Sequence, residues 1–296
     1  MKTLWRVTLT AILTAAVLMA FVPQASAQTP PPGAPVLLGT TGACNNVNPG
    51  GPCTQTSTLV QIDPTNGALV RTIGPVGYTV NGLSWDVTSG KLYATTAVGD
   101  VSFHGLITID PNTGQGTPVN ASVVNYGLDI TEGTLGSPVH SIAIDSNGNA
   151  VGWYDEFPPP VGVTDTFVTI NTATGIAIEH NNTGINTGQN GVAFAKHDLL
   201  WNIDSPKVVN NVVTQTAYLL NPVDGTPLDA RDVSPPTAAA LGDFNPEGNQ
   251  YYGLNFQVLT TNPTSLMVID LKKGTVTNVG QTVNGLHVIA FIKHLP

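Results

Sequence analysis

Beyond residue 35 the chain runs in short stretches of alternating or continuous apolar residues, each ending at a cluster of Gly, Asn, Asp or Pro. Alternation of this kind predicts strands joined by tight turns. One phrase occurs five times: an apolar run, an Asp or Asn, and a short turn closing on Gly. Its copies are LVQIDPTNG (59–67), LITIDPNTG (106–114), FVTINTATG (167–175), YLLNPVDG (218–225) and LMVIDLKKG (266–274). The Asx positions Asp63, Asp110, Asn171, Asn221 and Asp270 follow one another at intervals of 47, 61, 50 and 49 residues. A second phrase, small-apolar-small-aromatic followed by a turn and an aromatic-rich run, alternates with the first: GLSWDVTSGKLYATT (82–96), SIAIDSNGNAVGWYD (141–155), GVAFAKHDLLWNID (191–204), ALGDFNPEGNQYYGLNF (240–256) and a truncated GLHVIAFIKH (285–294).

Each unit therefore holds four strand-like runs, the pattern of an antiparallel meander. A lone sheet of this size leaves both faces in water. Radial packing of such units buries them, which predicts an all-β, five-bladed β-propeller of four-stranded antiparallel blades spanning residues 36–296 as one domain. The last phrase lacks its partner strands and the first lacks its leading strand. Gly285 to Lys293 is thus expected to supply the innermost strand of the blade formed by residues 36–42, 58–63 and 68–73, closing the ring and leaving no free edge.

The I-D-x-x-T-G turn after an apolar strand, as in LITIDPNTG, and the G-L-x-x-D-x-x-x-G-x-L-Y-A pattern of residues 82–94 resemble the secreted bacterial propeller repeats of the broad YVTN/NHL class. The resemblance covers nearly all of residues 36–296. It implies the fold, and it spans binding platforms, lactonases and dehydrogenase subunits without selecting an enzyme family.

Composition adds the cellular context. Lys2 and Arg6 precede an apolar run from Val7 to Val22, and Ala25-Ser26-Ala27 offers a small-residue cleavage site, so residues 1–27 are expected to be a secretory signal peptide. The run is shorter than the ~20 residues of a bilayer span, and no later segment is as long, so no membrane span is expected after signal removal. Residues 28–35 form a Pro-rich linker. Cleavage leaves 8 of the 10 Lys and Arg against all 19 Asp and Glu. An acidic monomer, secreted or periplasmic, with no nucleic-acid partner is expected. The two cysteines, Cys44 and Cys53, enclose a turn-rich octapeptide in an oxidising compartment and are expected to form a disulfide.

Candidate chemistry is sparse. The chain has no G-x-S-x-G elbow, no phosphate-binding G-x-x-x-x-G-K-[ST] and no H-E-x-x-H. Asp145, Asn147, Asn149 and Glu156 match four positions of an EF-hand calcium loop, but Ala150 replaces the obligatory Gly and the repeat makes this stretch a hairpin. The Asx-x-x-x-Gly segments are turn chemistry first, and no cofactor is expected. Trp85, Trp153 and Trp201 fall on strands and are expected in the core.

The starts of the innermost strands form the main candidate site. Aligning Leu83, Ile142, Val192, Leu241 and Leu286 places Asn81, His140, Asn190, Ala239 and Asn284 in a ring at one channel mouth. The same alignment puts Ser84, Ala143, Ala193, Gly242 and His287 in a second ring, where His287 is the one large side chain. Asn81, His140, Asn190, Asn284 and His287 are therefore the expected ligand-binding residues, on the face that also collects the long insertions and their acidic residues, among them Asp165 and Asp204. The function expected is a binding or interaction module for a small polar ligand or a protein. The alternative is a lactonase-like hydrolase with an axial divalent cation.

Overall fold

The structure, a computed structural model, describes residues 34–42, 56–96, 105–120, 139–154, 165–180, 183–185, 187, 191–204, 206–209, 212–234, 239–255 and 264–293. The expected signal peptide, residues 28–33 of the expected linker, Cys44, Cys53, Asn190 and most of the long insertions lie outside the described residues. No described helix is long and apolar enough to cross a membrane.

The chain builds five four-stranded antiparallel sheets. The first blade contains β1 (Val36–Thr41), β2 (Thr58–Ile62) and β3 (Leu69–Pro75). The second is β4 (Val80–Asp86), β5 (Lys91–Thr96), β6 (Leu106–Ile109) and β7 (Gly116–Pro118), and the third is β8 (Val139–Ile144), β9 (Ala150–Tyr154), β10 (Thr166–Ile170) and β11 (Ala177–His180). The fourth has β12 (Gly191–Ala195) and β13 (Leu199–Ile203), then a separate hairpin, β14 (Lys207–Val209) and β15 (Val212–Thr214), and then β16 (Thr216–Leu220) and β17 (Pro227–Asp232). The fifth is β18 (Ala239–Phe244), β19 (Tyr251–Asn255), β20 (Ser265–Asp270) and β21 (Thr275–Gln281). The final strand, β22 (Leu286–Ile292), returns to the first blade and pairs with β1, Leu37 opposite Phe291 and Leu38 opposite Ala290. The innermost strands touch in the order β22, β4, β8, β12, β18 and back to β22, so the ring is closed. The chain is a five-bladed β-propeller.

Its core is divided among the blade interfaces. Five buried clusters fill the gaps between neighbouring blades, for example Leu37, Val60, Leu254, Leu266 and Leu286 between the first and fifth. This is why the inner strands carry apolar residues on both faces, whereas β17, at the outer edge, is exposed along its whole length. Trp153 and Trp201 are buried as expected, and Trp85 is half-buried.

The repeated Asx turns lock each blade's outer hairpin. Asp63 Oδ1 accepts from Thr65 N at 2.8 Å, and Gly67 N donates to the Asp63 carbonyl at 2.8 Å. Asp110, Asn171, Asn221 and Asp270 accept from the residue two places on in the same way. The closing glycine has a second duty. Gly67 is left-handed (φ 78°), and a Cβ on it would stand 2.9 Å from the Gly280 carbonyl of the adjoining blade. Gly274 repeats the contact, 2.7 Å from the Asp232 carbonyl. The motif seen in sequence is thus both a turn and an inter-blade joint.

Candidate functional site

The axis has two different ends. At the start of three innermost strands, β4, β8 and β22, one extra residue is accommodated as a β-bulge, which breaks the ladder and re-aims a side chain. In β4 the pairs Val80 to Thr96 and Gly82 to Thr95 skip Asn81. In β8 the pairs Val139 to Tyr154 and Ser141 to Trp153 skip His140. In β22 the pairs Leu286 to Thr41 and Val288 to Thr40 skip His287. Asn81, His140 and His287 are therefore equivalent positions of the repeat. This corrects the register inferred from sequence: His287 belongs with Asn81 and His140, and Ala290, opposite Leu38, occupies the place of Ser84, Ala143 and Ala193. Asn284 lies exposed in the turn before β22, outside this ring.

Both imidazoles of this ring are held neutral. His140 is held neutral by burial, which pushes its pKa down to about 4 against the opposing pull of the Asp165 carboxylate. His287 is likewise pushed down to about 4, by burial first and by the nearby His140, while a hydrogen bond to the Val80 carbonyl opposes the shift. Asp165 is no solvated loop acid. It is buried, and its Oδ2 accepts from Trp153 Nε1 at 3.1 Å, from Thr187 N at 2.6 Å and from the Thr187 hydroxyl. Asp204, placed on the same acidic face by the sequence, is buried too.

Three residues further along the strands, toward the opposite face, the axis opens into a cavity of about 540 Å³. Trp85, Phe194, Phe244 and Phe291 line it, together with Ser84, Ala143, Ala193 and Asp243. Asp243 breaks the pseudo-symmetry. Opposite Tyr93, Val151, Trp201 and Leu38 on the second strands stand Ser84, Ala143, Ala193 and Ala290, and opposite Tyr252 stands Asp243. The fifth blade reaches that register by an extra residue, because the pairing jumps from Ala240 to Asp243 over Leu241 and Gly242. Leu241 is forced into the left-handed region at φ 56°, and a Cβ on Gly242 would collide with the Tyr252 carbonyl.

The Asp243 carboxyl accepts two backbone hydrogen bonds, from Phe291 N of the first blade at 2.8 Å and from Phe244 N at 2.8 Å. Burial nevertheless pushes its pKa up to about 7, with the two N–H groups opposing. Tyr251, behind it, accepts from Gly242 N at 2.8 Å and is raised by burial. The rim is fastened across blades. Asp198 accepts from Ser146 N at 2.9 Å and from its hydroxyl at 2.7 Å, while Lys196 donates through its backbone N to Asn249 Oδ1 at 2.9 Å and through Nζ to the Glu247 carbonyl at 2.7 Å. His197 and Asp198 are both left-handed, at φ 65° and 55°. Backbone strain of this kind persists where surrounding contacts over-determine it, and it clusters at functional sites.

Asp243 is hidden in the sequence because Leu241 fits the apolar position of Leu83, which sets Asp243 beside Trp85. Aligning Phe244 with Trp85, Phe194 and Phe291 puts Asp243 beside Ser84. Among the described residues, no three His, Cys, Asp or Glu side chains come together as a metal-ligand set.

No protein-family model matches the chain, and no curated protein sequence matches it. Several solved structures resemble the chain at low identity. TolB from Acinetobacter baumannii is 8% identical with a TM-score of 0.45, covering 82% of this chain and 52% of its own, so this chain corresponds to about half of that protein. A gluconolactonase from Xanthomonas campestris is 13% identical with a TM-score of 0.45, over 86% of this chain and 78% of that one. An α-L-arabinofuranosidase from Clostridium thermocellum is 12% identical with a TM-score of 0.46, over 78% and 85%.

Proposed function

We propose that this protein is an exported, non-catalytic binding module that receives a small ligand in its axial cavity. The observation that carries the reading is the cavity itself: about 540 Å³, lined by Trp85, Phe194, Phe244 and Phe291 alongside polar side chains, with the Asp243 carboxyl set into it by a strained insertion. Ligand sites are typically concavities of ~300–1,000 Å³ in which apolar and aromatic side chains hold the body of the ligand and fixed polar groups set its orientation. The cross-blade bonds at the rim favour a pre-formed site, which lowers the ordering cost of binding. At the other mouth Asn81, His140 and His287 offer amide and neutral imidazole groups, each able to donate and accept, to a second polar contact on the face of the long insertions.

The test is a ligand-observed NMR screen of the mature protein with small aromatic and polar compounds, repeated on Val87→Trp. Val87 lines the cavity and is 40% exposed, so the larger side chain narrows the mouth without disturbing the core. Hits that disappear in this variant support the module. Hits that persist unchanged, or lactone turnover by metal-loaded protein that chelation abolishes, would overturn it.

A further inference from the structure

We propose, building on the binding-module reading, that the axial cavity is built for an organic cation: an aromatic or alkyl ammonium whose charge pairs with Asp243 and whose body lies against Trp85, Phe194, Phe244 and Phe291. The first argument is the carboxyl's redundancy as a structural group. Ser84 holds the same repeat position, and its Oγ accepts from Ile144 N of the next blade at 3.1 Å, just as Asp243 Oδ2 accepts from Phe291 N. A hydroxyl suffices for that bridge, so the bridge does not require a charge.

The second argument is the absence of an internal counter-ion. Among the described residues no basic side chain forms an ion pair with Asp243; the ion pairs present are Arg231 with Asp229 and Lys273 with Asp270. Lys196 lines the cavity but spends its ammonium on the Glu247 carbonyl. The titratable groups around Asp243 are Tyr251 behind it, Tyr252 opposite it on β19, and Asp145, Lys196, His197, Asp198 and Lys293 in the cavity wall and rim. Asp243 is half-buried; a carboxyl partly withdrawn from water with no cation beside it is costly to ionise, and an incoming ammonium supplies the missing partner.

The third argument is the wall. Aromatic faces attract cations most strongly when water is excluded, and they reward the apolar body of the ligand as well. Because the empty site holds its proton up to about pH 7, ammonium binding selects the ionised carboxylate and releases that proton to solvent. Affinity then falls about tenfold for each pH unit below 7, as the competent fraction falls.

Calorimetry on the mature protein with three probes of one shape tests this: phenethylamine, protonated throughout, 2-phenylethanol, neutral, and phenylacetate, anionic. Wild type is expected to bind phenethylamine at 1:1 and at least tenfold more tightly than either analogue at pH 7.5. Weakening at pH 5.5 and release of a proton, read from buffers of different ionisation enthalpy, are expected with it. Asp243→Ser, which keeps a bridge to Phe291 N, and Asp243→Asn are both expected to lose the amine preference and the pH dependence, with near-ultraviolet dichroism reporting an intact fold. If 2-phenylethanol or phenylacetate binds as tightly as the amine, or Asp243→Ser binds the amine as wild type does, the cation assignment fails while the cavity remains a binding site. If none of the probes binds at millimolar concentration, both readings fail.

Discussion

Ser84 and Asp243 occupy one position of the repeat, and each hands an acceptor to the blade that follows, Ser84 to Ile144 N and Asp243 to Phe291 N. Only the second bears a charge. Its pKa rises from the ordinary 3.8 to about 7 on folding, so the fold prefers the protonated acid. The stabilising contribution is complete below about pH 3.8 and disappears as pH climbs through 7. Asp243→Ser is therefore expected to gain on wild type as pH rises from 4 to 8, by about 2–4 °C in Tm for each ~1 kcal/mol of relieved burial penalty. Thermal melts of the two proteins across that range check it; a Tm difference independent of pH would contradict the assignment.

His140 and His287 act with the opposite sign. Both fall from about 6.5 to about 4 in the folded ring, so they stay neutral there and take up protons more readily in the unfolded chain. Their contribution is present above pH 6.5 and is lost as pH drops toward 4. His287→Asn, which copies the residue at Asn81, is expected to flatten the acid side of the stability curve while changing Tm little at pH 7.5. Imidazole resonances followed by NMR provide the direct reading, and a His287 midpoint near 6.5 would sink the prediction.

What the amino-acid pattern reveals follows from where the repeat is rigid. The Asx-x-x-x-Gly turns, fixed by local hydrogen bonds, show the blade count directly, and the truncated phrase at residues 285–294 shows the closure by β22. The bulges hide the register. Each adds an odd residue, so Val80 and Leu83, Val139 and Ile142, and Leu286 and Ile289 are apolar pairs three apart, and the pattern aligns equally well on either member. Gly285-Leu286 imitates Gly82-Leu83, so the apolar pattern sets His287 beside Ser84, whereas the ladder sets it beside Asn81. The insertion at Leu241 and Gly242 concealed Asp243 in the same manner. Burial of Asp165 is equally invisible, because its partners Trp153 and Thr187 lie 12 and 22 residues away.

That buried carboxylate carries its own prediction. Asp165→Ala leaves the Trp153 indole N–H and the Thr187 backbone N–H without an acceptor in a site closed to water. Removing one partner of a charged hydrogen bond costs the desolvation of what remains, about 3 kcal/mol or more here. Asp165→Asn retains an acceptor and is expected to lose less than half as much. Urea titration of the three proteins at pH 7 distinguishes them, and equal midpoints for Ala and wild type would show that the contact is dispensable.

Ring closure is the strongest structural commitment of the chain. Leu286, Val288, Ile289, Ala290, Phe291 and Ile292 are all buried, and they contribute to both clusters flanking the first blade. At ~1.5–3 kcal/mol for each large apolar side chain, their burial is worth about 10 kcal/mol, the size of a typical domain's entire stability of ~5–15 kcal/mol. Removal of residues 286–296 also strips β1 of its inner partner and leaves an open strand edge toward the axis. A chain ending at Gly285 is expected to lose its cooperative thermal transition and to aggregate, whereas one ending at Lys293 keeps both strand and transition. Calorimetry and light scattering on the two truncations provide the measurement, and a monomeric, cooperatively melting 1–285 chain would mean that the ring holds without its clasp.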